Sequence, residues 1–500
     1  MLLHLETDEP KAAAVSLRRP DHHVVGSATS SFSPFSSWSS SSAAQPGPVN
    51  DTPTSFRNPW PSWYKPTSAQ VWSNLKWGDR GPDPCVELAV SHLSGGTAPA
   101  NPPAKDKRPN FCDITNWPDS TGAKAARLLG IDEPDFKLPD SQCKAKVTWL
   151  GHAGVLVQLA TRMQAPSGRS INCVFDPIFS ARSSPSKNFG PVRTYPPPCT
   201  IEALPPIDAV FISHNHYDHL DADTIASIWA HHGATVRFFA PLGNRRWFLD
   251  NGIPQDRVVE LDWWDSVKLK SPHSSSEELR IWCTPSQHSS GRSGYEPNTT
   301  LWSSWTVEYH TPDATPYRVF FAGDTGYRFH EDPAWPPAPP VGGKDGNSLE
   351  QVEVMEEEED TTYPACPAFA EIRDRLGPPH LLLLPVSVGA TYSYIRSLAY
   401  APSWMNPAPW HSPGVTAANH MPAWDAVRVM KLMTGGEPTV AVGMHWGTFV
   451  PDPVDVLSNL GQLEWACRRQ GVKFGRDLSG ESADKGSWFL ALNHGQSICI

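Results

Sequence analysis

The run Ser213-His214-Asn215-His216-Tyr217-Asp218-His219-Leu220-Asp221 places three imidazoles and two carboxylates within eight residues. It directly follows the apolar stretch Ile207-Asp-Ala-Val-Phe-Ile212. So many polar groups make a poor core, because each costs free energy when buried without a partner. They can instead chelate from a tight turn at a strand end, since imidazole and carboxylate are ligands that zinc and similar divalent ions take. The constraint on the fold is therefore strong: a buried strand must end at an edge where these side chains converge.

Three more acid or imidazole positions have the same setting. His288 follows Trp282-Cys-Thr-Pro-Ser-Gln287, Asp324 follows Phe320-Phe-Ala-Gly323, and His445 follows Ala441-Val-Gly-Met444. Taken singly, each has a bland alternative: a hydrogen-bonded structural histidine, or an ordinary Gly-Asp-Thr turn. Taken together with the dense cluster, they read as loops from neighbouring strands meeting on one edge.

Residues 1–56 are poor in large aliphatics and carry a serine run through Ser39-Ser40-Ser41-Ser42, so a disordered tail is expected there. Residues 57–144 read as an arm and linker packing on a core domain spanning 145–500. From Ala145 onward, short β-branched or aromatic runs alternate with Gly and Pro. Strands are expected at Lys146–Leu150 and Val155–Leu159 as a hairpin, then near Asn172, Ala209, Val236, Arg280, Arg318, Leu381 and Thr439. Helices are expected at Ala222–His231, Trp424–Thr434 and Pro453–Gln470 from their apolar spacing. Strands and helices mixed in this way, without a sustained repeat, imply a layered α/β domain.

With 52 acidic against 41 basic residues and a net charge of −11, the chain lacks the basic excess of a nucleic-acid binder. Part of the acidity is local, in Glu350–Asp360, which reads as a surface insertion. Nine cysteines are scattered singly with no Cys-x-x-Cys pair, which suits a reducing compartment. The first residues reach charge too early for a signal peptide, and no apolar run approaches the ~20 residues of a membrane-spanning helix. Trp60, Trp63 and Tyr64 have two readings, insertion at a membrane interface or packing of the arm onto the domain.

The ligand order H-x-H-x-D-H, then His, Asp and His, resembles that of the metallo-β-lactamase fold. The resemblance narrows to the N-acylphosphatidylethanolamine-hydrolysing phospholipases D through Phe56-Arg-Asn-Pro-Trp-Pro-Ser-Trp63, Val147-Thr-Trp-Leu-Gly-His-Ala153, Thr284-Pro-Ser-Gln-His288, Phe320-Phe-Ala-Gly-Asp-Thr-Gly-Tyr327 and His445-Trp-Gly-Thr-Phe449. It implies an αββα sandwich of two facing mixed sheets with helices on the outer faces. It also implies two zinc ions: one held by His214, His216 and His288, the other by Asp218, His219 and His445, with Asp324 bridging. Asp218 and Asp324 would serve catalysis, and Tyr217 and His420 would touch the substrate. Two stretches depart from the family pattern, the acidic insertion near 340–363 and a Pro-rich one at 401–418.

The activity implied is phosphodiester hydrolysis of N-acylphosphatidylethanolamine to N-acylethanolamine and phosphatidic acid. The alternative is another binuclear hydrolase of the same fold, a nucleotide phosphodiesterase or a lactonase. The expected partner is a phospholipid at a membrane surface, with no nucleic acid, no transmembrane span, and a homodimer left open. The expected location is intracellular, cytoplasmic with peripheral membrane association, and a mitochondrial one is compatible.

Overall fold

The computed structural model describes residues 4–7, 20–25, 53–76, 84–94, 124–125, 127–138, 143–161, 170–270, 277–292, 296–312, 314–331, 362–387, 410–411, 416–450, 453–478 and 486–500. The chain enters through β1 (His4–Thr7), β2 (His23–Val24), β3 (Ser55–Phe56), α1 (Ser68–Asn74), β4 (Leu75–Lys76) and α2 (Pro84–Ser94). One sheet is then built by β5 (Ala145–Gly151), β6 (Gly154–Ala160), β7 (Ser170–Phe175), β8 (Ala209–Phe211), β9 (Arg237–Pro241) and β10 (Val258–Leu261), with α3 (Ala222–His232) and α4 (Arg245–Asp250) between strands. There follow β11 (Ser266–Lys270), β12 (Glu278–Thr284), β13 (Ser304–Thr311), β14 (Ala314–Phe321), α5 (Ala368–Leu376), β15 (Leu381–Pro385) and β16 (Trp410–His411). The chain closes with α6 (Ala423–Thr434), β17 (Val440–Met444), α7 (Pro453–Arg469), β18 (Lys473–Gly475), β19 (Trp488–Leu490) and β20 (Ser497–Cys499).

The strands form a seven-stranded sheet, β10-β9-β8-β7-β6-β5-β20, and a nine-stranded sheet, β1-β11-β12-β13-β14-β15-β17-β19-β18. Both are mixed. In the first, β7 to β10 are parallel and β5 to β7 antiparallel. In the second, β11 to β14 are antiparallel, and β14, β15 and β17 run parallel.

Residue alternation explains why these strands are buried on both faces. Val147, Trp149, Val155, Val157, Phe175, Phe211 and Phe239 enter the core between the sheets. Their neighbours Leu150, Leu156, Val174, Val210 and Phe238 pack instead with Ile225 and Ile228 of α3. A period of two thus feeds two layers from one strand, and each large apolar side chain buried contributes about 1.5–3 kcal/mol. Ring contacts join the sheets: Phe175 meets Phe321 at 4.8 Å, and Phe211 meets Trp305 at 5.6 Å between centroids. The parallel strands β7 and β8, and β14 and β17, all end at one edge, so the loops that follow them meet there.

The tail expected over residues 1–56 needs correction where the structure describes it. His4–Thr7 adds an antiparallel strand to β11, with His4 opposite Lys270, and His23–Val24 pairs with Ser55–Phe56. The physical reason is that an edge strand offers free backbone N–H and C=O groups to any extended segment, whatever its hydrophobicity. The Ser39–Ser42 run, residues 340–361 of the acidic insertion, and residues 401–409 and 412–415 of the Pro-rich stretch lie outside the described residues. Trp60 stacks on Trp263 at 5.4 Å, and Tyr64 contacts Phe329 at 4.6 Å, so these aromatics pack the arm onto the domain.

Candidate metal centre

The turn that opens after β8 is closed by His219 N and Leu220 N, both donating to the His216 carbonyl at 3.1 and 2.9 Å. Asp324 leaves β14 through Gly323, whose φ of +61° suits glycine and where a Cβ would lie 2.6 Å from Ser213 Cβ. The loop after β14 can therefore sit directly against the histidine turn. His288 follows β12 and His445 follows β17, and the β5–β6 hairpin brings in His152.

Two groups of donors result. In one, His214 Nε2 and His216 Nδ1 are 2.8 Å apart, and His288 Nε2 is 3.4 Å from His216 Nδ1. In the other, the ligating atoms of His152, Asp218, His219 and His445 lie within 4.8 Å of one another. Asp324 stands between them. Its Oδ2 is 3.1 Å from His219 Nε2 and 3.2 Å from His445 Nε2, and 3.9 Å from both His214 Nε2 and His288 Nε2. The residues fit a pair of divalent ions. Asp324 Oδ1, His219 Nε2 and His445 Nε2 are buried without a hydrogen-bond partner, a costly state for polar atoms unless an ion takes them. The donor set of imidazole and carboxylate is also one such ions accept.

Backbone strain collects here. Five non-glycine residues among those described have positive φ; two of them, His152 and His445, belong to the Asp218 group, and a third, Asp176, hydrogen-bonds its His219. Each costs about 1–3 kcal/mol and persists only where the surroundings over-determine it. His445 N donates to the His152 carbonyl at 2.9 Å, which locks two of the three together.

Supporting residues orient the donors, and sequence reasoning did not single them out. Asp176 Oδ2 accepts from His219 Nδ1 at 2.7 Å and from Ser213 Oγ at 2.5 Å, leaving His219 Nε2 directed at Asp324. His152 Nε2 hydrogen-bonds Asp218 Oδ2 at 2.9 Å. Asn58 grips the backbone of His288, donating from Nδ2 to its carbonyl at 2.7 Å and accepting from its N–H at 3.2 Å. Such partners fix ring tautomer and direction. The signal was present for two of them in Gly151-His152 and Arg57-Asn58-Pro, which stand within segments that carry the family resemblance.

The two groups differ in charge. Burial first, and neighbouring imidazoles second, hold His214 and His288 well below the usual histidine range, and burial holds His216 near about 4. Burial opposes charge on His445 too, but the Asp324 and Asp218 carboxylates outweigh it and raise that imidazole to about 9. His219 is raised well above its usual value against the same opposition, by Asp324, Asp218 and Asp176. Burial likewise works against Asp218 and Asp324, yet His219 and its neighbours keep both carboxyls well below the ordinary range.

His420 reaches the centre despite the Pro-rich stretch before it. Met421 N donates to the Thr325 carbonyl at 2.8 Å and Tyr327 N to the Ala417 carbonyl at 3.1 Å, zipping this segment to the loop after Asp324. Gly326 permits the approach, since a Cβ there would overlap the Ala418 carbonyl. His420 Nε2 thus lies 3.2 Å from Asp324 Oδ2 with its side chain partly exposed. Tyr217 points elsewhere, into a cleft of about 710 Å³ lined also by Arg182, Ser184, Lys187 and Arg292. The Arg292 guanidinium lies 4.0 Å from the Tyr217 ring centre.

Comparison with known proteins places this site in a family context. Residues 171–335 match the model of the β-lactamase superfamily domain. An uncharacterized protein of Mycobacterium tuberculosis is 32% identical over 364 residues, 73% of this chain and 75% of that protein. N-acyl-phosphatidylethanolamine-hydrolyzing phospholipase D 1 of Caenorhabditis elegans is 30% identical over 305 residues, 60% of this chain and 64% of that one. The N-acyl-phosphatidylethanolamine-hydrolyzing phospholipase D of Saccharomyces cerevisiae, named as mitochondrial, is 28% identical over 334 residues, 67% of this chain and 54% of that one.

Proposed function

This chain belongs to the metallo-β-lactamase superfamily and is similar to its N-acylphosphatidylethanolamine-hydrolysing members, and from that premise we propose that it is a binuclear zinc phosphodiesterase of the phospholipase D type. Its substrate would be N-acylphosphatidylethanolamine. Water adds to phosphorus, the bond from phosphorus to the ethanolamine oxygen breaks, and that oxygen leaves protonated as N-acylethanolamine, with phosphatidic acid as the other product. The observation that carries this reading is the position of Asp324, whose carboxylate faces two separate donor groups at once. The names of the worm and yeast relatives support the choice of substrate.

His214, His216 and His288 would hold one ion, Asp218, His219 and His445 the other, and Asp324 both. When bound, such a pair lowers the pKa of a water and neutralises charge developing on a phosphoryl group. The chain's own groups do the rest. Asp218 and Asp324 stay anionic in the metal-free protein and so present charge to both positions. His152 and Asp176 fix the directions of Asp218 and His219. His420, at the exposed side of Asp324, is placed to contact the phosphoryl or acylamide oxygens of the lipid. Tyr217 lines the neighbouring cleft with Arg182, Lys187 and Arg292 and with Asp221 and Asp223, Lys187 pairing with Asp223 at 3.2 Å, so Arg182 and Arg292 are the cations that would meet an anionic headgroup. No described helix is long and apolar enough to cross a membrane.

The test is incubation of the zinc-loaded protein with vesicles containing N-acylphosphatidylethanolamine, with products read by mass spectrometry. N-acylethanolamine and phosphatidic acid in equal amounts are expected. An inert lipid together with turnover of a nucleotide diester or a lactone would move the protein to another branch of the superfamily.

A further inference from the structure

Away from the metal centre, a second cluster of metal-ligand side chains occurs where the N-terminal segment meets the turn after β10. Pro20 O accepts from His23 N at 3.0 Å, and this turn brings two consecutive imidazoles to one side. His22 Nε2 lies 2.7 Å from Asp262 Oδ1, and His23 Nε2 lies 2.7 Å from Asp262 Oδ2. The ligating atoms of all three residues are within 4.8 Å of one another. Trp263 covers one side, with its ring 4.3 Å from His22, and Phe56 packs edge-on to His23 at 5.5 Å.

Hydrogen bonding alone leaves this cluster incomplete. His23 Nε2 is buried and has no partner of hydrogen-bond geometry, although Asp262 Oδ2 lies 2.7 Å away. His219 Nε2 and His445 Nε2 show the same signature beside Asp324, at 3.1 and 3.2 Å. Close approach without hydrogen-bond geometry is what ligand atoms adopt when they point at a shared position rather than at each other. Charge agrees with this. Asp265 adds a second carboxylate, its Oδ2 accepting from Asp262 N at 2.9 Å, and among the described residues neither acid is paired with a lysine or arginine. Two imidazoles and two nearby carboxylates thus meet beside an aromatic wall.

We propose that His22, His23 and Asp262 bind a further divalent cation of the zinc type, which fastens residues 20–25 to the turn after β10. Two imidazoles and one carboxylate are a common zinc donor set, and the partial exposure of the three side chains leaves room for water as the fourth ligand. The ion has a structural task. Arg57 N donates to the His22 carbonyl at 3.0 Å, and the next residue, Asn58, holds the backbone of His288. Fastening His22 therefore steadies the support of a ligand in the catalytic pair, while no atom of the new site reaches the reacting groups.

The experiment counts zinc in the full-length protein, by plasma mass spectrometry after gel filtration, for wild type and for His22→Gln/His23→Gln. Glutamine keeps a donor for Asp262 but makes a poor zinc ligand, so the variant should hold about one ion fewer per chain than wild type. Equal counts in the two proteins would overturn the proposal, because a hydrogen-bonded latch would survive the change. If the double variant fails to fold, Asp262→Asn provides the same comparison, with near-ultraviolet circular dichroism to verify the fold. Cobalt titration of metal-free wild type gives an independent reading: three saturable equivalents support the site and two overturn it. Because the readout is a difference of one ion, it holds whether or not the lipid proves to be the substrate.

Discussion

The two halves of the candidate metal centre are built from similar residues but prepared in opposite ways. His214, His216 and His288 form a trio of imidazoles that burial keeps neutral, ready to offer lone pairs. Asp218, His219 and His445 lie among carboxylates that pull protons onto the two rings in the metal-free protein. An ion entering the second half must displace those protons, whereas one entering the first displaces none. The second half also has one ligand, His445, and two supporting residues, His152 and Asp176, in left-handed backbone, while the first is steadied by Asn58 from the distant N-terminal arm. Similar ligands thus yield one half that is preset electrostatically and one that is preset by strain and orientation.

The largest effect should come from removing what the halves share. Asp324→Ala is expected to lower bound zinc from about two ions at this centre to about none, and turnover by about a thousandfold or more. Inductively coupled plasma analysis that found the zinc content unchanged would show the halves to be independent. His445→Ala should cost about one ion, that of the Asp218 half, along with activity. His420→Ala should leave the zinc in place and lower only lipid turnover. If His420→Ala strips metal, the boundary between ligand and substrate residue is drawn in the wrong place.

Support residues should give smaller, selective losses. His152→Ala is expected to weaken the ion of the Asp218 half by about 10- to 100-fold, and Asn58→Ala that of the His288 half. Competitive chelator titration would read both, and equal weakening of both ions in either variant would erase the distinction.

The smallest effect is on the stability of metal-free protein against pH. His445 has its pKa raised from 6.5 to about 9, so its stabilisation is complete below pH 6.5 and is lost as pH rises through 9. His216 has its pKa lowered from 6.5 to about 4, so its stabilisation is present above pH 6.5 and is lost as pH falls through 4. Each shift corresponds to on the order of 3 kcal/mol. The melting temperature should therefore peak near pH 6.5 without metal and flatten with zinc bound. A curve that rises steadily through pH 9 would contradict the charge assigned to the Asp218 half.

Much of this centre could be read along the chain. The His214–His219 turn is locally dense, and His288, Asp324 and His445 each follow a short apolar run, so period-two burial and a following loop mark them as candidates for one shared edge without tertiary knowledge. The strands at Ala145–Gly151, Gly154–Ala160 and Val440–Met444 and the helix at Ala222–His232 were legible for the same reason. What holds those ligands was not. Asp176 lies 43 residues from His219, Asn58 lies 230 from His288, and His22 lies 240 from Asp262. The strand at His4–Thr7 forms only because β11 is an open edge. Local composition determines which residues want a metal and which segments want burial, since both preferences are set by the side chain itself. Which distant carboxylate turns a given imidazole, and which backbone finds a free sheet edge, depends on how the chain closes in space. No short window of sequence contains that closure.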